Sequence, residues 1–164
     1  MSDFHPPPLE VDGRGNALVA FLRGDEGAAP RDAPSPAALV ALWHGGRVVM
    51  VFDRFRGQWE LPGGRREVGE SSRRAAVREL FEESGQRADG PLRFVGHARF
   101  ALAPDGRAEY AALFTGRTTR VRRFEANEEI AAIRWWDPRE ALTGRAQPLD
   151  ARLARLTRDP GPGG

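Results

Sequence analysis

The sequence predicts an α/β fold, an α/β/α sandwich around a mixed β-sheet. Three observations lead there. Apolar runs of strand length come in pairs joined by glycine turns, one uninterrupted helix-forming stretch lies between two such pairs, and a shorter leucine stripe follows them. At 164 residues the chain can bury one substantial core and is too short for two ordinary domains.

Residues 1–35, rich in Pro, Gly, Ala and Asp, read as a partly disordered N-terminal extension with one candidate strand. That strand, 17–22, either covers the sheet or joins a second copy of the chain, which leaves monomer and homodimer both open. Residues 23–36 read as a loop. Runs 38–43 and 47–53 flank His44-Gly45-Gly46, a hairpin signal. Residues 58–61 lead into Leu61-Pro62-Gly63-Gly64, where Pro62 fixes φ and two glycines leave room for an approaching phosphate. A helix is expected over about 72–84, capped by Ser71 or Ser72 and ended by Gly85. At about 100° per residue, Val77, Leu80, Phe81 and Ser84 share a core-facing side, with Glu79, Glu82 and Glu83 opposite.

A second hairpin, 92–103 and 107–116, turns at Pro104-Asp105-Gly106. Residues 131–136 form a strand on which Trp135 and Trp136 face opposite ways, one toward the core and one free to cover a cleft. Pro138 opens a short helix to 142, and 148–158 forms a final helix striped by Leu149, Leu153 and Leu156. Residues 159–164 read as a disordered tail.

Composition excludes several classes of function. The chain has no cysteine, so disulfide frameworks and thiol chemistry are unavailable. No apolar run approaches the ~20 residues that span a bilayer, and residues 1–8 lack the charged and apolar regions of a signal peptide; the expected location is cytoplasmic, with no membrane partner. All 25 basic residues are arginine, a coding bias, and the net charge is only +2, weak grounds for a nucleic-acid partner.

The chemistry is carried by residues 64–86. Gly64 is followed after five residues by Glu70, after seven more by Arg78-Glu79, then by Glu82-Glu83 and Gly85. Like charges three and four residues apart weaken a helix unless something compensates them. A set of hard oxygen donors suits Mg²⁺ or Mn²⁺.

This pattern resembles the box of the Nudix hydrolase family, MutT-like enzymes that cleave a nucleoside diphosphate linked to another moiety. Every fixed position matches except the last, where Gln86 replaces an aliphatic residue. The resemblance implies a Nudix fold over 36–158, with Glu79, Glu82, Glu83 and the Gly64 carbonyl as metal ligands and Glu70 with Arg78 as a structural ion pair. It also points to a glutamate six residues before a strand tryptophan, here Glu129 ahead of Trp135, with Glu128 and Glu125 next; a solvated acidic loop is the competing reading. Glu79, Glu83 and Glu129 share the expectation for the general base. The missing cysteine argues against the isomerase branch of the superfamily.

Outside the box the signals are quieter. Trp59 is a candidate to stack on a base, or a packing residue. Arg117 heads a basic stretch with Arg120, Arg122 and Arg123, either gripping phosphates or solvated. His44 and His97 read as ordinary surface or strand histidines. Pro104 and Tyr110 do not fall where ADP-ribose and dinucleoside polyphosphate enzymes of the family carry their marks. By elimination the expected substrate is a nucleoside triphosphate, oxidised forms included. ADP-ribose or a nucleotide sugar is the alternative, and a non-catalytic nucleotide sensor is the alternative of another class.

Overall fold

The computed structural model describes residues 6–158. The readings for residues 1–5 and for the tail 159–164 lie outside the described residues. The strands are β1 (Glu10–Val11), β2 (Ala17–Leu22), β3 (Ala37–His44), β4 (Arg47–Asp53), β5 (Gln58–Glu60), β6 (Gly63–Arg65), β7 (Arg93–Leu102), β8 (Arg107–Arg117) and β9 (Ile130–Trp136). Two helices, α1 (Ser72–Ser84) and α2 (Pro148–Leu156), complete the described elements.

The sheet runs β1-β2-β7-β8-β3-β4-β5, with β6 added to β3 and β9 to β4. Every pairing is antiparallel except β3 with β8, so the sheet is mixed. Strand β2 pairs with β7 of its own chain, Leu18 opposite Phe100 and Leu22 opposite His97.

One helix packs on each face. Ala75, Ala76 and Leu80 of α1 join Val40, Leu42, Val49 and Phe114 in one core cluster. Leu149, Leu153 and Ala154 of α2 join Leu18, Met50, Leu113 and Trp136 in the other. Trp136 and Trp135 thus serve opposite layers, as the period-two geometry of a strand requires.

One departure from a simple sheet positions everything that follows. The β3–β4 hairpin pairs only near its turn, at Trp43 with Val48 and His44 with Arg47. Beyond those residues the strands fork. β3 takes β6 along its free edge, Leu39 opposite Gly63, while β4 takes β9 and β5.

Two sequence expectations are corrected. Residues 138–142 do not form a helix. The Asp137 carboxylate instead accepts from the Arg139 amide at 3.0 Å and pairs with its guanidinium at 2.7 Å, closing a local turn that competes with the helix. The core face of α1 also differs from the expected Val77-Leu80-Phe81-Ser84 stripe. Val77 and Phe81 are each 43% exposed, and Phe81 is covered by the Arg87 guanidinium 4.1 Å from its ring centroid. The buried arc runs from Ala75 through Ala76, Glu83 and Leu80 to Ser84. Glu83, expected on the outer side, therefore lies in the packed face.

Candidate active site

Helix α1 starts where Ser71 accepts from the Arg74 amide at 3.1 Å and stops at Gly85, whose left-handed φ of 74° no side chain readily adopts. Its sheet-facing side carries alanines, which let it settle close onto β6. The contact there is tight. A Cβ on Gly63 would fall 2.3 Å from the Ala38 carbonyl oxygen, and one on Gly64 2.6 Å from Glu79 Oε1. The backbone clash makes Gly63 demand glycine; at Gly64 an added Cβ would displace the Glu79 carboxylate, which rests directly on the β6 backbone.

Arg78 organises the outer carboxylates. Its Nε and Nη2 donate to the two oxygens of Glu70 at 2.8 and 2.9 Å. Its Nη1 donates to Glu79 Oε1 at 3.0 Å and Glu82 Oε2 at 3.1 Å, and Nη2 also reaches the Arg65 carbonyl at 3.1 Å. The Arg78 hydrogen bonds hold Glu70 down to a pKa of about 2.

Glu83 has no such partner. Its carboxyl is buried and accepts the Gly63 amide at 2.7 Å. Burial raises its pKa well above the usual carboxylate range; the Gly63 hydrogen bond opposes this, and contact with the Glu129 carboxyl and the nearby charge of Glu79 add to it. Glu79 is shifted the same way, first by burial, against the pull of Arg78. The structure thus brings Glu79, Glu83 and Glu129 together against Gly63-Gly64 and leaves Glu82 exposed on Arg78. Among the described residues no three such side chains close around one point; Arg78 holds Glu79 and Glu82, and the Gly63 amide holds Glu83. The donor chemistry nevertheless fits Mg²⁺ or Mn²⁺: hard oxygens, carboxyls in contact, and at Glu83 no ion pair among the described residues to offset burial.

Gln86, the one departure from the box pattern, has a defined task. Fully buried, it donates Nε2 to the Arg122 carbonyl at 2.7 Å and accepts the Arg122 amide on Oε1 at 2.8 Å. It pins the loop that carries Arg123 to Glu129 against the end of α1. Asn127 anchors the same loop near the site, accepting the Glu129 and Ile130 amides on Oδ1 at 2.9 and 2.8 Å.

A cavity of about 270 Å³ opens beside Leu61, Gly63 and Gly64. Leu39, Phe100 and Leu149 give it apolar walls; Gln58, Glu60 and Asp150 supply polar groups. Glu60 is saturated, accepting Arg56 Nε and Nη2 at 2.7 and 2.8 Å and Gln58 Nε2 at 2.7 Å. Asp150, in the first turn of α2, accepts the Leu61 amide at 2.9 Å. None of these polar residues was anticipated; the one usable signal was Gln58-Trp59-Glu60, whose alternation turns both polar side chains to one side.

Trp59 is not among the residues lining this cavity; it packs edge-on against Phe52, 5.3 Å between centroids. Arg117 lies still farther off. It stands level with Trp43 in the parallel β3–β8 register, whereas Ala111, which lines the cavity, stands level with Ala37. Six strand residues separate the two levels, roughly 20 Å. Neither residue meets a substrate expectation at this cavity. His44 shares a hydrogen bond with the Thr118 carbonyl at 2.9 Å, and His97 is a buried strand residue.

A NUDIX domain model matches residues 33–159. The chain belongs to the NUDIX family. Among curated Nudix relatives, a Bacillus subtilis protein provisionally named an 8-oxo-dGTP diphosphatase is 31% identical over 102 residues, 62% of this chain and 65% of its own length. A Mycobacterium tuberculosis protein provisionally named mutator protein MutT4 is 29% identical, over 76% of this chain and 49% of its own length. This Nudix chain therefore matches only about half to two thirds of each relative. Solved structures share the fold. The MutT Nudix hydrolase of Burkholderia pseudomallei superposes with a TM-score of 0.65 at 19% identity, over 77% of this chain and all of that one. The Bacillus subtilis pyrophosphohydrolase BsRppH gives 0.63 at 20% identity, over 80% and 77%.

Proposed function

We propose that this Nudix protein is a cytoplasmic, divalent-metal-dependent pyrophosphohydrolase of nucleoside triphosphates, oxidised forms included. One observation carries the reading: Glu79, Glu83 and Glu129 gather against Gly63-Gly64, beside a cavity of about 270 Å³ with apolar walls and few polar groups. Mg²⁺ or Mn²⁺ held by Glu79, Glu82, Glu83 and the Gly64 carbonyl would neutralise the diphosphate and acidify a bound water. In this reading Glu79, Glu83 and Glu129 share the role of accepting that water's proton, a role worth typically ~10²–10⁴-fold in rate. Glu70 and Gly85 hold the scaffold, and Arg78 keeps the outer carboxylates oriented until the cation competes for them. The name of the Bacillus subtilis relative agrees with an oxidised purine triphosphate as substrate.

The test is a nucleotide panel with Mg²⁺, scored by product. Nucleoside monophosphate plus pyrophosphate is the expected result. AMP from ADP-ribose, with triphosphates untouched, would replace the substrate class; tight binding without turnover would replace the hydrolase with a sensor.

A further inference from the structure

A second cavity, of about 1030 Å³, lies at the opposite end of β3 and β8 from the glycine loop. It opens on the α2 face of the sheet. Leu113 packs in the cluster that contains α2, and Thr115 and Arg117 follow it on that face at period two. Arg93 of β7 stands opposite Thr115 and so is a diagonal neighbour of Arg117. Arg155 and Arg158 close the other side, where the Arg158 amide bonds the Arg155 carbonyl at 3.2 Å and continues the turn beyond α2. The Thr157 hydroxyl donates to the Ala154 carbonyl at 2.7 Å, so these last carbonyls of α2 are occupied. Gly45 and Gly46 complete the rim without side chains, and a Cβ on either would meet nothing within 4 Å.

Four arginines thus line one cavity, and among the described residues no acidic side chain lines it. Elsewhere the chain spends its arginines on carboxylates: Arg56, Arg73, Arg78, Arg99 and Arg139 each hydrogen-bond one. Here the Arg93 and Arg158 guanidiniums form no ion pair among the described residues, and Arg155 lies over the Trp136 ring, 5.1 Å from its centroid. Asp89, beside the cavity, is committed to the Thr119 amide at 2.8 Å and the Thr118 hydroxyl at 3.3 Å. We propose that this cavity is a second anion site, which binds a phosphate chain, either inorganic tripolyphosphate or the triphosphate of a nucleotide. A guanidinium fork meets phosphate oxygens two at a time and keeps its charge at every pH of interest. Several such forks around one cavity exceed what a single phosphate can engage, which favours a chain. The cavity beside Gly63-Gly64 lies six strand residues away, roughly 20 Å, so a chain bound here is held and not cleaved.

Isothermal titration of tripolyphosphate into the full chain, in metal-free buffer at low ionic strength, tests this independently of turnover. Without a cation the box carboxyls hold no phosphate, so one-to-one binding is expected and Glu79→Gln should leave it unchanged. Arg155→Gln and Arg158→Gln should each weaken binding about ten-fold. Arg152→Gln removes the same charge three residues back on α2, outside the cavity, and should weaken binding no more than about two-fold. Inorganic phosphate at matched ionic strength should bind at least about ten-fold more weakly than the chain. GTP bound no more tightly than tripolyphosphate assigns the site to the inorganic chain, and GTP bound more tightly assigns it to a nucleotide. No binding by the wild type, equal losses in Arg152→Gln and Arg155→Gln, or phosphate bound as tightly as the chain would each overturn the proposal. So would a single-stranded oligonucleotide held more tightly through the same arginines. The wild-type titration needs no variant, so misfolding of one would not shelter it. Failure here leaves the hydrolase reading standing, because no residue of Glu79, Glu82, Glu83 or Glu129 lines this cavity.

Discussion

Glu70 and Glu83 lie thirteen positions apart in one motif, and their surroundings push them in opposite directions. Glu70 accepts Nε and Nη2 of the Arg78 guanidinium and is held ionised. Glu83 is buried beneath the helix, hydrogen-bonded to a backbone amide and close to two further carboxyls. Glu70 has both oxygens committed to Arg78, as befits scaffold, whereas Glu83 accepts no arginine hydrogen bond among the described residues and keeps its carboxyl for chemistry. The resemblance already sets the two apart as scaffold and ligand, and the packing supplies the physical reason.

The sharpest break in that comparison is Glu83→Gln. Turnover should fall by about 10²–10⁴-fold with unchanged far-UV circular dichroism, and Mg²⁺ should raise the melting temperature less than in the wild type. Glu79→Gln should behave similarly. Retention of most activity by both would show that availability does not mark function here. Gln86→Leu restores the family's aliphatic residue but strips two hydrogen bonds from Arg122. It should cost about 1–3 kcal/mol in urea denaturation and lower kcat as the Glu129 loop loosens.

Asp150→Asn extends the comparison to a second buried carboxyl that accepts a backbone amide and forms no ion pair among the described residues. A buried acid whose folded pKa is raised from 3.8 to about 8 contributes fully below pH 3.8, and that contribution drains away as pH rises to 8. Melts of the variant should thus match the wild type near pH 4 and exceed it at pH 8, by on the order of 1–3 kcal/mol. Glu70→Gln should show the mirror image. The wild-type contribution is present above about pH 4.5 and is lost as pH falls toward 2, so the variant's melting temperature should be lower at neutral pH and converge with the wild type in acid. Smallest of all, Val77→Ala should change stability by no more than about 0.5 kcal/mol, where Leu80→Ala costs about 2–5. Equal losses would restore the helix face that periodicity alone suggested.

The box was legible because its residues are close in sequence and their types carry the chemistry. The cap at Ser71, the stop at Gly85 and the Glu70–Arg78 pair needed no tertiary information. The facing of α1 did need it. Counting apolar residues favours Val77 and Phe81, yet the arc that packs is the one with alanines small enough to meet β6 and with Glu83 placed to take the Gly63 amide. The cavity was illegible for another reason. Asp150 reads as an ordinary first-turn acid and Glu60 as a strand residue next to a tryptophan; what makes them matter is that β5, β7, β8 and α2 converge around them.

The fork between β3 and β4 has a mechanical consequence. β5 belongs to one tine and β6 to the other, and only Leu61 and Pro62 join them, with the Pro62 carbonyl accepting the Val40 amide at 2.9 Å. From Glu60 to Gly63 the chain reaches no more than about 11 Å, so this pair works as a strut that limits the gape of the tines. Glu83 is held from one tine, through Gly63, and Glu129 leads into β9 on the other. The gap between those two carboxyls is therefore gauged by a covalent length, and one residue inserted after Leu61 would open it while sparing every strand pair.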